Sequence, residues 1–223
     1  MNLLAIETST DFLSLAAMRG GEVHARHVGA GQRHAELILD AISELLARAG
    51  LRLEDLQGIA YGEGPGSFTG LRIACGVAQG LAMAGGLEVL GVSTLLAVAE
   101  EAQADRALAC LDARMGEVYH AAYRRNGDAW QVEQAPGLCR PQEIPVPEGG
   151  GWTGCGSGFA AFGELLRGRL GSALGGMRAD ISPTAAAVLR LARPRFERGE
   201  GSAPESAIPV YLRDKVALKT SER

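Results

Sequence analysis

Apolar positions along the chain recur in two rhythms. Leu3 to Ile6 is continuously apolar, the mark of a strand covered on both faces, and Glu7-Thr8-Ser9-Thr10-Asp11 then supplies acids and hydroxyls at its C-terminal end. Leu13 to Met18 and Glu22 to Val28, separated by Arg19-Gly20-Gly21, read as two further strands joined by a hairpin turn. The rhythm then becomes helical. Leu37, Ile38, Ala41, Ile42, Leu45, Leu46 and Ala49 form one stripe, Glu36, Asp40, Glu44 and Arg48 lie on the other side, and Gly50 stops the helix.

An apolar strand from Gln57 to Tyr61 follows and runs into Gly62-Glu63-Gly64-Pro65-Gly66, which opens onto a helix of small residues reaching about Ala84, with Ser67 as its N-cap. In that helix Gly66, Gly70, Ala74 and Ala78 recur every fourth residue, and Gly76, Gly80 and Ala84 repeat the spacing on a neighbouring stripe. A glycine inside a helix costs up to ~1 kcal/mol relative to alanine. Close backbone approach offsets that cost, either to the protein's own sheet or to a helix of another chain; phosphate binding at the turn is a third reading. Leu87 to Val92 predicts one more strand, and Ser93 opens a short helix to about Ala104.

At Arg106 the pattern starts again. Ala107 to Asp112 is an apolar strand ending in an acid, Glu117 to Tyr123 alternates as a strand, 125–128 is a turn, and Trp130 to Gln134 is a third strand. Glu7 and Asp112 therefore take matching places in a structural duplication. The expected organisation is an α/β lobe over 1–104, a smaller lobe over 105–205 and a docking C-terminal segment over 206–223. The second half is looser. Residues 136–151 read as a long loop or a poorly formed helix, Trp152 to Gly158 as a short strand and glycine turn, and Phe159 to Leu170 as a helix. Ser182-Pro183 opens the last helix, to about Arg193, with Ser182 as its cap, and Ile208 to Leu212 is an apolar segment that must dock.

Composition narrows the chemistry. A net charge of −4 without a run of basic residues disfavours direct binding of tRNA or DNA by this chain alone. Lysine occurs only at Lys215 and Lys219, so no glycine turn carries the phosphate-gripping lysine of a P-loop. The four cysteines show no C-x-x-C pairing and read as reduced packing residues of a cytoplasmic protein; no signal peptide or membrane span is expected. His24 and His27 face opposite sides of a strand, and His34 is expected at a helix start near Glu36 or solvent, so no metal site is expected. Ser67 and Ser157 both lie outside a G-x-S-x-G elbow. What remains is Glu7 with Thr8 and Ser9, facing Asp112 across an interlobe cleft where paired carboxylates could hold Mg²⁺ through water; the alternative is that these acids cap loops.

Four stretches carry a family resemblance. Ile6-Glu7-Thr8-Ser9-Thr10, Gly64-Pro65-Gly66-Ser67-Phe68-Thr69-Gly70-Leu71-Arg72, Asp112-Ala113-Arg114-Met115-Gly116-Glu117-Val118-Tyr119 and Pro209-Val210-Tyr211-Leu212-Arg213 together resemble the bacterial TsaB family, also called YeaZ. The resemblance implies an actin-like ATPase fold of the Hsp70 and sugar-kinase superfamily, with two ribonuclease-H-like lobes. It also implies a non-catalytic partner of TsaD, with TsaE as a third member, in making threonylcarbamoyladenosine beside the tRNA anticodon. The catalytic paralogue's histidine pair is matched here by Thr94 and Val98, so no intrinsic cofactor or peptidase chemistry is expected, and ATP or ADP with Mg²⁺ enters only within the complex. The family pairs with TsaD, or with itself as a homodimer, through the first two helices. On this chain that implies an interface of Leu37, Ala41, Leu45, Gly66, Phe68, Gly70, Ile73, Ala74, Val77 and Leu81, with tRNA reached only through the complex. The competing readings are a small Mg-dependent ATPase or kinase using Glu7 and Asp112, and a metallopeptidase.

Overall fold

The computed structural model describes residues 1–213; of the C-terminal segment expected over 206–223, residues 214–223 lie outside the described residues. Fifteen strands and α-helices follow in order: β1 (Asn2–Glu7), β2 (Phe12–Arg19), β3 (Glu22–Gly29), α1 (His34–Arg48), β4 (Gly58–Gly64), α2 (Phe68–Gly85), β5 (Glu88–Ser93), α3 (Thr94–Ala102), β6 (Arg106–Asp112), β7 (Val118–Asn126), β8 (Ala129–Cys139), β9 (Trp152–Cys155), α4 (Ser157–Leu170), β10 (Leu174–Arg178) and α5 (Ala185–Glu197).

They make two five-stranded sheets of one design. The first has the order β3-β2-β1-β4-β5, the second β8-β7-β6-β9-β10. In each, the leading strand pairs antiparallel with the next and parallel with the fourth, Ala5 facing Ala16 and Ala60 in the first sheet, Ala109 facing Ala121 and Cys155 in the second. Glu7 and Asp112 end the matching strands. The duplication read from the sequence is thus an identity of strand order.

The helices are exchanged between the sheets. α1 and α2 cover one face of the first sheet, where Ile38, Leu45, Ala74 and Ala78 meet Leu4, Ile6 and Ile59. Its other face is covered by α5 from the far end of the chain: Val188, Leu189 and Phe196 pack on Leu3, Ala5, Ala60 and Leu90. Small residues make this possible, because a methyl group at Gly58 would lie 2.7 Å from the Phe196 ring. In return α3 lays Leu95, Val98 and Ala99 against Ala107, Ala109 and Leu111 of the second sheet. α4 covers the opposite face with Phe159, Leu166 and Leu170. Each lobe therefore completes its core with a helix from the other half.

Four local expectations change. The last helix is capped by Thr184, whose hydroxyl accepts from the Ala187 N–H at 3.1 Å, and not by Ser182. β8 runs on to Cys139, through Pro136, because it is an edge strand whose outer side needs no N–H donor. β10 was not foreseen. His34 is buried, its Nε2 3.1 Å from the Phe12 carbonyl, so it ties α1 to β2 instead of meeting Glu36 or solvent. Among the described residues no helix is long and apolar enough to cross a membrane.

Candidate functional site

The turn after β4 is pressed into the chain's own first lobe. Gly64 has φ +119°, and a methyl there would lie 2.5 Å from the Val210 carbonyl; one at Gly66 would lie 2.6 Å from the Ser9 Cβ. The Ser67 N–H donates to the Ser9 carbonyl at 2.7 Å, and the Thr8 hydroxyl donates to the Gly70 carbonyl at 2.7 Å. A side chain at Gly70 would overlap the Thr8 carbonyl. Ser67 is the N-cap, accepting from the Gly70 N–H at 3.3 Å. Gly66 and Gly70 thus serve close approach within the chain.

The ten residues expected at a partner surface separate into three groups. Ala41, Leu45, Gly70 and Ala74 are buried in the lobe's own core. Gly66 meets Ser9, and Phe68 is covered by the Arg72 guanidinium, 3.7 Å above its ring, and by Tyr211, with ring centroids 5.1 Å apart. Leu37, Ile73, Val77 and Leu81 are half-buried at the outer edge of the core. Beside the last three on α2, nothing lies within 4 Å of a methyl at Gly76 or Gly80, and Met83 is 60% exposed. α2 therefore has two small-residue stripes with different uses: one seats the helix on its own sheet, and the other leaves a shallow, apolar outer face.

Between the lobes lies a cleft of about 740 Å³. Ser9, Asp11, Phe12 and Phe68 line it from the first lobe, and Asp112, Arg114, Met115, Tyr119 and Ser157 from the second. The structure does not bring Glu7 into it. Glu7 is 1% exposed; its Oε1 accepts from the Ser9 N–H at 2.5 Å, and its Oε2 packs against Gly62 without a hydrogen-bond partner among the described residues. Burial pushes its carboxyl above the usual carboxylate range, the Ser9 side chain, the Ser9 backbone and Thr94 offsetting this in part. Asp112 is in the cleft, but its Oδ1 accepts from the Arg114 N–H at 2.8 Å, and the Arg114 guanidinium lies between Asp112 (3.5 Å) and Asp11 (3.9 Å). A buried carboxyl that does not reach the cleft and a carboxylate already faced by an arginine do not fit a Mg²⁺ site built from Glu7, Thr8, Ser9 and Asp112. Among the described residues no group of three or more His, Cys, Asp or Glu is placed to hold a metal ion. The cysteines are free thiols; Cys75, Cys110 and Cys155 are buried, and burial pushes the Cys155 thiol up to about 12.

Two lobes of one strand order, with helices exchanged between them and a cleft at the ends of their leading strands, define the actin-like ATPase fold with ribonuclease-H-like lobes. A family profile described as TsaD, tRNA N6-adenosine threonylcarbamoyltransferase, matches residues 21–152. The chain belongs to the TsaB (YeaZ) family. It is 39% identical to the tRNA threonylcarbamoyladenosine biosynthesis protein TsaB of Escherichia coli K12, over 98% of this chain and 97% of that one. The TsaB of Haemophilus influenzae is 34% identical over 98% of this chain and 96% of its own. Among solved structures, YeaZ from Pseudomonas aeruginosa superposes with a TM-score of 0.87 at 36% identity, covering 95% of this chain and 99% of that one.

Proposed function

We propose that this chain is the non-catalytic accessory subunit of the bacterial assembly that transfers a threonylcarbamoyl group to the adenosine beside the tRNA anticodon, and that it binds and activates TsaD. The observation that carries the reading is its match, along almost its full length, to relatives named for tRNA threonylcarbamoyladenosine biosynthesis. The outer face of α2 supports a docking role: Gly76 and Gly80 admit a second helix closely, while Ile73, Val77, Leu81 and Met83 offer apolar surface to cover. Leu37 on α1 belongs to the same proposal. The free chain pairs with itself through this face and exchanges that contact for TsaD in the cytoplasm; TsaE and ATP or ADP with Mg²⁺ act within the assembled complex, which is also where tRNA is held.

Reconstitution tests it. Purified chain given tRNA and threonylcarbamoyl-adenylate forms no modified nucleoside by itself, and adding TsaD and TsaE yields it; omission of this chain alone abolishes the yield. Modification by the chain in the absence of TsaD would overturn the reading.

A further inference from the structure

The loop joining β6 to β7 is held in an unfavourable conformation at the mouth of the cleft. Arg114, Met115 and Gly116 have φ of 62°, 54° and 75°, and two consecutive non-glycine residues in the left-handed region store strain that their surroundings must balance. Its surroundings include a residue from the other end of the chain. Arg213 donates to the Glu117 carboxylate at 2.6 Å and to the Arg114 carbonyl at 3.5 Å, and its Nη1 lies 2.9 Å from the Met115 sulfur. Leu212 packs on the second lobe's core beside Tyr119.

Only three residues earlier the same segment belongs to the first lobe. The Val210 N–H donates to the Glu63 carbonyl at 2.7 Å, and the Tyr61 hydroxyl donates to the Ile208 carbonyl at 3.4 Å. Tyr211 lies against Phe68 with the ring planes tilted by 33°, and its hydroxyl accepts from Arg72 Nε at 3.0 Å, so it rests on the first turn of α2. Three residues span at most about 10 Å, which leaves no slack between the anchors. Phe68, Arg114, Met115 and Arg213 all line the cleft.

We propose that Ile208–Arg213 is a strap that clamps the strained loop 114–117 to the N-terminal turn of α2, so that a partner seated on α2 sets the order of the cleft mouth. The second half of this statement rests on the docking role given to α2; the clamp itself does not. Arg72 and Tyr211 are exposed, next to the outer face, and a helix covering that face immobilises them and through them Arg213.

Amide hydrogen exchange tests both halves. In the isolated chain, Arg213→Ala speeds exchange at residues 113–119 by about tenfold or more, leaving α1 and β1 at the wild-type rate, as release of a local unit requires. TsaD slows exchange at 113–119 in the wild type, and this slowing is lost in Arg213→Ala although light scattering still finds the complex. Unchanged exchange at 113–119 in the isolated variant overturns the clamp. A complex that forms without slowing 113–119 in the wild type overturns the coupling, whereas absence of a complex in light scattering counts against the docking role and leaves the clamp standing.

Discussion

Arg190 of α5 donates through Nε to Glu100 Oε1 of α3 at 3.0 Å, joining the two helices that the halves of the chain exchange. The other carboxylate oxygen accepts from Arg125 at 3.0 Å and from the Trp130 indole N–H at 2.8 Å, both on the β7–β8 hairpin. One side chain thus gathers α3, α5 and the second sheet. Because Glu100 is 13% exposed, its removal strands partly buried donors instead of merely deleting a surface pair. Glu100→Ala is expected to cost about 2–3 kcal/mol in urea unfolding. Arg193→Ala, which removes an exposed pair with Glu197, is expected to cost under about 1 kcal/mol.

The two glycine stripes of α2 predict opposite outcomes for the same substitution. Gly70→Ala forces a methyl into the Thr8 carbonyl, and the shift it demands costs about 1–3 kcal/mol. Gly76→Ala meets nothing within 4 Å and gains about 0.5–1 kcal/mol of helix stability. Thermal unfolding of the two variants side by side reads the difference, the midpoint falling for the first and rising for the second.

Glu7 gives a pH signature. Its folded-state carboxyl titrates above its ordinary value because burial disfavours the anion, so its favourable contribution is complete in acid and is lost as pH rises through the folded value. Glu7→Gln keeps an oxygen for the Ser9 N–H and has no charge to bury. The stability of Glu7→Gln relative to wild type is therefore expected to increase from about pH 4.5 upward and then level off. Urea unfolding of both proteins between pH 4 and 8 checks this; a difference that stays flat would mean that Glu7 ionises as freely as an exposed acid.

The repeat was legible because a strand covered on both faces and ending in an acid is an uncommon pattern, and it occurs at Leu3 to Glu7 and again at Ala107 to Asp112. The α1 stripe was legible for the same reason of period. β10 was not, since Leu-Gly-Gly-Met-Arg neither alternates nor favours a strand, and it forms by parallel pairing with β9. The start of α5 was displaced from Ser182 by a contact far along the chain, the Ala185 N–H donating to the Ser14 hydroxyl at 2.9 Å. The site divides in the same way. The family resemblance implied a partner surface that included Ala41, Leu45, Gly70 and Ala74, and the period of the two helices cannot tell which of two apolar stripes faces the sheet; burial assigns these four to the core and leaves Gly76, Gly80 and Met83 outside. The burial of Glu7 depends on Gly62 and Thr94, which are distant in sequence, and no local pattern records it.

The central claim is that this chain acts through the outer face of α2 and not through chemistry in its cleft, and size exclusion with light scattering, with and without TsaD, tests it most directly. Wild-type chain is expected to elute with TsaD at the mass of a complex. Gly76→Glu, whose side chain has open space and leaves the lobe's core untouched, is expected to keep the wild-type circular dichroism and a cooperative unfolding transition yet elute apart from TsaD. A folded Gly76→Glu chain that still elutes with TsaD at the wild-type mass would contradict the account.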